Sequence, residues 1–314
     1  MDFTLQTAYN VAVMFILIGV GYLAFRFGYI NYGGAKQLSN ILLNIVTPCI
    51  ILSSFQTDYE ESLSSKLLFT ALIGVFMFLS GILVGKLAFR RLPYSAQSIY
   101  RYSAIVPNCG YMTLPLVYAL LGDIGVIYVS VYIAILNFFC WSYGIRLLSG
   151  KNKPFSIAKG FLNPGVISVF LAVFMFLFSV KLPPIILDPI KSLASINGPI
   201  AMIITGVFMG GSDLLSSIRD KNIYLVIAFR QLLIPGLTAA AMLLIRSLGG
   251  PIDTNVFMAS MLSSAAPVAV NVSMFAAMCD ADVALASKTM VISTLFYTVT
   301  ISVMVYLSTL ALGI

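Results

Sequence analysis

The run "AIVPNCGYMTLPLVYAL", residues 104–120, decides how this chain folds. It sits in an uncharged stretch long enough to cross a bilayer, yet it carries Pro107 and Pro115 around Asn108 and Gly110. A span that only anchors a protein needs neither helix breakers nor a bare amide. Proline lacks an N–H and clashes with the carbonyl four residues back, so it frees backbone polar groups. In lipid those groups are costly, and the broken turn must therefore face protein or a wetted cavity.

The surrounding sequence sets that run in a membrane. The chain has 314 residues, of which 60% are hydrophobic and 9% charged, against about 25% charged in a soluble domain. Its mean hydropathy is +1.01. Too few polar residues are available to clothe a soluble fold. Uncharged stretches run 3–25, 37–57, 67–85, 102–122, 124–145, 160–180, 192–212, 254–279 and 289–314, and a tenth, 222–245, is interrupted only by Arg230. Each has about the length that crosses ~30 Å of hydrocarbon as a helix. β-Barrel spans are shorter and alternate in polarity. The expectation is an all-α polytopic membrane protein with ten transmembrane helices and no large soluble domain.

The N-terminal "MDFTLQTAYNVAVMFILIGVGYLAFR" has no basic leader and no small-residue cleavage site, so it reads as a retained first span. Cys49, Cys109, Cys140 and Cys279 all fall in apolar runs without metal-ligand spacing, and read as packed thiols. With an exterior N-terminus, interior connections carry 13 Lys and Arg and exterior ones 4, Arg230 set aside as intramembrane. That bias predicts both termini outside a cell membrane. The net charge of +7 is then ordinary topology. It is not a nucleic-acid footprint, which would need a basic patch in a polar setting.

The basic connection "RLLSGKNKPFSIAKG", residues 146–160, divides the chain after five spans. Five is odd, so a second copy must insert upside down. Span two carries Asn44 and Pro48, and span seven carries Asn197 and Pro199. Span four has Pro107, Asn108, Gly110 and Pro115, and span nine has Ser263, Ser264, Pro267 and Asn271. Acidic turns, "LGDIG" and "MCDAD", follow spans four and nine. The expected organisation is one five-helix repeat over 1–150, an interior linker over 151–160 and an inverted repeat over 161–314. Inverted repeats with broken helices mark secondary transporters, and half-helix N-termini there can face an anion. A lone proline in span two or seven reads more readily as an architectural kink.

Three segments resemble the auxin efflux carrier family. "PNCGYMTLP" at 107–115, followed by "LGDIG", is similar to that family's fourth span; "APVAVNVSMFA" at 266–276 to its ninth; and "LLNIVTPCIILSSF" at 42–55 to its second. The short middle loop resembles prokaryotic members. The family shares a superfamily with bile-acid/sodium symporters. The resemblance implies two inverted five-helix repeats, with helices 1, 2, 6 and 7 as a scaffold that can form a homodimer. Helices 3–5 and 8–10 then form a mobile transport domain in which helices 4 and 9 break and cross. It implies a small carboxylate-bearing organic anion such as malate or malonate, moved by alternating access. Asn108 falls on the substrate-contacting asparagine, Pro107 and Pro267 on the crossover prolines, and Ser53 or Ser54 on the small polar residue of span two. Plant members pair an acid with a lysine near span three; here Lys66 opens that span with no acid one turn inward.

Other polar residues have two readings each. Arg230 in span eight either neutralises a substrate carboxylate or snorkels to the interior face. Asn137 in span five reaches the crossing or joins two helices. Tyr111 lines a pocket or packs as an ordinary aromatic. Asn271 contacts substrate or bonds a neighbouring carbonyl. No histidine is present and every acid lies near a span end, which leaves an intramembrane enzyme without its usual dyads. No cofactor is expected, and the coupling ion, proton or sodium, is left open. An anion channel or a membrane-embedded sensor is the alternative to a carrier.

Overall fold

The computed structural model describes residues 3–56, 61–150, 162, 164–211, 220–250 and 252–313; the linker expected at 151–160 lies outside them. Among the described residues every regular element is helical, apart from one isolated bridge between Pro107 and Val268. The first half comprises α1 (Phe3–Arg26), α2 (Tyr32–Ile41), α3 (Thr47–Ser54), α4 (Glu61–Ala88), α5 (Tyr94–Ile105), α6 (Leu114–Phe139) and α7 (Ile145–Ser149). The second comprises α8 (Pro164–Leu177), α9 (Pro184–Ser195), α10 (Asn197–Gly210), α11 (Lys221–Ala228), α12 (Ile234–Ser247), α13 (Thr254–Ala265), α14 (Asn271–Met278) and α15 (Val283–Leu312).

Among the described residues, seven helical stretches are long and apolar enough to cross a membrane: Tyr9–Arg26, Tyr32–Ser54, Glu61–Ala88, Cys109–Ser149, Pro184–Gly210, Lys221–Ser247 and Val283–Leu312. The chain is thus an all-α, multi-pass membrane protein. Ten uncharged runs become seven long helices for identifiable reasons. Two runs merge in Cys109–Ser149, where Gly122 turns the chain at φ +65° between them. The breaks near Pro107 and Pro267 leave α5, α13 and α14 only 12, 12 and 8 residues long. The apolar α8 is also short, at 14 residues.

Large side chains such as Ile16, Leu72, Leu83, Phe170 and Val299 point outward, while Ser, Thr and Asn gather inside. A helix apolar on its outer face needs a lipid solvent. Several acids at helix starts are caps. Asp253 accepts from the Val256 N–H at 2.9 Å and Asp282 from the Leu285 N–H at 2.9 Å. Asp253 also pairs with Lys66 at 2.8 Å, so the acid missing one turn from Lys66 arrives from a distant segment.

Proline is accommodated in a repeated way. Three five-residue π turns, Leu42–Val46, Cys109–Thr113 and Phe229–Leu233, each end two residues before a proline: Pro48, Pro115 and Pro235. The residue just before each proline donates five residues back: Thr47 to Leu42, Leu114 to Cys109 and Ile234 to Phe229. Widening the turn relieves the clash that proline would make with the carbonyl four residues before it. Span two is therefore bulged at Pro48, not broken. Asn44 is exposed and its amide donates to the Asn40 carbonyl at 2.8 Å. Span seven does bend, at Ile196, with Pro199 in the first turn of α10. A fourth π turn, Cys140–Gly144, has no proline.

α1 crosses α10, α2 also lies on α10, and α3 packs against α8 and α9. α4 packs on α5, α6 and α12, and α13 on α6, α12 and α15, while α1 on α15 and α8 on α6 join these two sets of helices. The crossing of α1 with α10 is set by glycine. A Cβ at Gly21 would strike the Ile203 carbonyl, and one at Gly206 would strike the Ile18 carbonyl. Small residues permit this backbone approach where lipid offers no hydrophobic drive for association. Gly206→Val should force the pair apart, cost about 1–3 kcal/mol and lower the thermal unfolding midpoint in detergent by several degrees. Gly19→Val, where a Cβ meets nothing within 4 Å, is the control.

Candidate functional site

The interrupted helices meet at their breaks. α5 ends at Ile105 and the chain continues extended through Val106 and Pro107 to Asn108. α13 ends at Ala265, and Ala266 to Val270 lead into α14. These segments run antiparallel. The Asn108 N–H donates to the Pro267 carbonyl at 2.9 Å, and the Ala269 N–H donates to the Val106 carbonyl at 3.1 Å. Each break thus supplies partners for the other in the buried interior of the protein. Two of the residues involved are prolines, with no N–H to satisfy. The Val268 N–H donates to Ser293 Oγ at 2.9 Å, and the Gln231 amide donates to that same oxygen at 2.8 Å and to the Ser293 carbonyl at 2.7 Å.

Arg230 lies beneath the pairing with none of its surface exposed. Its Nε donates to the Ala266 carbonyl at 3.2 Å. Its Nη1 donates to the Ile105 carbonyl at 3.3 Å and the Ala104 carbonyl at 3.5 Å. Its Nη2 donates to the Ser264 carbonyl and touches Met77 Sδ. Snorkelling is thereby ruled out: the guanidinium is fully enclosed and bonds the carbonyl ends of α5 and α13. The π turn Phe229–Leu233 carries Arg230 in its second position. Pro235, with Gln231 four residues before it and Gly236 directly after it, is the local signal for that turn, a signal passed over in the reading of the sequence.

The other expected residues divide into those at the crossing and those elsewhere. Pro107, Asn108 and Pro267 meet there, and Gly110 and Tyr111 follow in the π turn, with Pro115 just after it. Asn108 is 1% exposed and its side-chain nitrogen has no hydrogen-bond partner. The Tyr111 hydroxyl, beside Ser39, and Ser263 Oγ are likewise buried and unpartnered. A Cβ at Gly110 would meet nothing within 4 Å, so the glycine is not sterically required there. Asn271 opens α14 and faces the Cys140 thiol, with its side-chain oxygen unpartnered. Asn197 is 1% exposed and neither end of its amide is bonded. The next residue, Gly198, lies against the Pro115 ring, which brings α10 up to the crossing.

Three residues do not reach it by any bond they make. Ser53 Oγ donates to the Ile50 carbonyl in its own helix at 3.0 Å. Ser54 Oγ donates to Asp123 Oδ1 at 3.2 Å, tying α3 to the turn after Gly122. Asn137 stands part-buried on α6, three residues before the π turn at Cys140. All four cysteines are free thiols.

Orphaned polar atoms cost free energy in a dry interior. Asn108, Tyr111, Ser263 and Asn271 contribute such atoms near the paired helix breaks, and others, such as Thr47, Ser64 and Arg101, lie elsewhere in the fold. The chain belongs to the family described as membrane transport protein, whose model matches residues 8–305. It is also 27% identical over 215 residues to an uncharacterized transporter of the archaeon Methanocaldococcus jannaschii, a match covering 63% of this chain and 67% of that protein. Membership of a membrane transport family is consistent with a non-enzymatic function.

Ser293 offers a test of the pairing. Ser293→Ala should leave the Val268 N–H without a partner and cost about 1–3 kcal/mol. The unfolding midpoint should fall, while Ser302→Ala, whose hydroxyl only bonds the Thr298 carbonyl in its own helix, should leave it near wild type.

Proposed function

We propose that this protein is a secondary carrier for a small carboxylate-bearing organic anion, of the malate or malonate kind, held where the two breaks cross. The observation that carries the reading is the Asn108 side-chain nitrogen. It is an unpartnered donor, enclosed at the N-terminal end of the helical stretch that begins at Cys109. The helix beginning at Asn271 also starts at the crossing. Helix N-termini present unpaired N–H groups and about half a positive charge each, which suits an anion. Asn271, Tyr111 and Asn197 stand as further polar contacts.

The packing supports ten crossings arranged as two inverted five-helix repeats. Under that pairing, α1 on α10 corresponds to α8 on α3, α2 on α10 to α9 on α3, and α4 on α6 to α11 on α15, and each of these contacts is present. The π turns do not follow the two-fold. Helices 1, 2, 6 and 7 are assigned to a scaffold that pairs as a homodimer on the family resemblance alone. A transport domain of helices 3–5 and 8–10 would move against that scaffold. Alternating access then requires parting contacts such as Ser54 with Asp123 and Gly198 with Pro115. The excess of Lys and Arg in the interior connections supports both termini lying outside the cell membrane.

Asn108→Ala loses no side-chain nitrogen bond within the protein, so its unfolding midpoint should stay within a degree or two of wild type. Its affinity for the anion should fall roughly 10- to 100-fold, the value of one hydrogen bond to a charged group. The measurement is saturable, trans-stimulated uptake into proteoliposomes after a thermal-shift screen of mono- and dicarboxylates. Normal affinity in the variant would sink the site, and unsaturable steady conductance would sink the carrier.

A further inference from the structure

Charge at the crossing has two poles. The N-terminal ends of the stretches starting at Cys109 and Asn271 make a positive pole. The C-terminal ends of α5 and α13 make a negative one, and they present the carbonyls of Ala104, Ile105, Ser264 and Ala266. A helix C-terminus carries about half a negative charge, so two such ends together amount to about one. Converging carbonyls at half-helix C-termini are the donor set with which transporters coordinate a mobile alkali cation. In this chain the set is already taken by a cation that belongs to the protein, the Arg230 guanidinium, which is fully buried and, among the described residues, has no acidic side chain against it.

We infer that Arg230 is a tethered counter-cation that neutralises the paired C-terminal ends of α5 and α13 and fills the place of a mobile metal cation, so that no sodium ion is bound or carried at the crossing. The inference rests on the crossing being the core of the carrier and assigns Arg230 a positioning role, not a contact with substrate. A guanidinium suits the task because it is planar, permanently charged and forked, and can serve several carbonyls together. Removing it would leave those carbonyls unpaired and the helix ends repelling one another. The fixed charge also leaves the positive pole free to meet an anion.

The test uses purified full-length protein in detergent, followed by thermal unfolding at constant ionic strength. Wild type should show the same midpoint in sodium, potassium or choline chloride. A saturable, sodium-specific rise in wild type would overturn the inference. Arg230→Ala should lose several degrees, and millimolar guanidinium should restore most of that loss while choline does not. A variant that regains nothing from guanidinium or sodium would equally overturn it. Should Arg230→Ala fail to fold, Arg230→Lys against Arg230→Gln decides. Lysine, which keeps the charge, should remain closer to wild type, and glutamine performing as well as lysine would show that charge is not what the site needs. None of these arms uses a carboxylate, so a wrong substrate class leaves them intact and is detected separately by the Asn108→Ala uptake experiment.

Discussion

The structure depends on one constraint: backbone freed inside a membrane must find partners there. Two 12-residue helices stop short of a full span at Ile105 and Ala265, and in hydrocarbon each would leave N–H and C=O groups unpaired. The solution is mutual. Val106–Asn108 and Pro267–Ala269 exchange two backbone hydrogen bonds, and Arg230 gathers the leftover carbonyls of both helix ends. Neither break is tolerable without the other, so the crossing must form as a unit. α12, α13 and α15 pack around it.

A second theme is how proline shapes helices without ending them. Pro48, Pro115 and Pro235 each follow a widened turn by the same two residues. The extra residue in each turn shifts the register of the side chains that follow. In span eight this turn carries Arg230, placed under the crossing. In span four it carries Tyr111, placed among unpartnered polar groups. The prolines are thus positioning devices as much as kinks.

Much of this could be read before folding. The uncharged runs marked where helices lie, because hydrocarbon penalises charge along a whole span. Pro107 with Asn108, and Pro267 with Asn271, marked both breaks, because proline's missing N–H acts locally. Acids at span ends were legible as ends, though their work as caps at Asp253 and Asp282 was not. The count of long helices differed, since a broken span is two short pieces and Gly122 joins two spans into one stretch. Asn44 and Gly110 were expected to matter at breaks. Asn44 instead bonds its own helix on the exposed side, and Gly110 has room for a side chain.

Composition and local chemistry by themselves determined that this chain is helical, lies in a bilayer and is interrupted at two places, because each of those properties depends on residues near one another in sequence. Tertiary structure alone decided what the interruptions meet. Lys66 finds Asp253, Ser54 finds Asp123, and Arg230 finds carbonyls contributed by α5 and α13. A charge in a span looks the same in sequence whether it reaches for water, for a solute or for the backbone. Only the packed fold, by closing off the route to water and bringing two helix ends within hydrogen-bond distance, chose the backbone for Arg230.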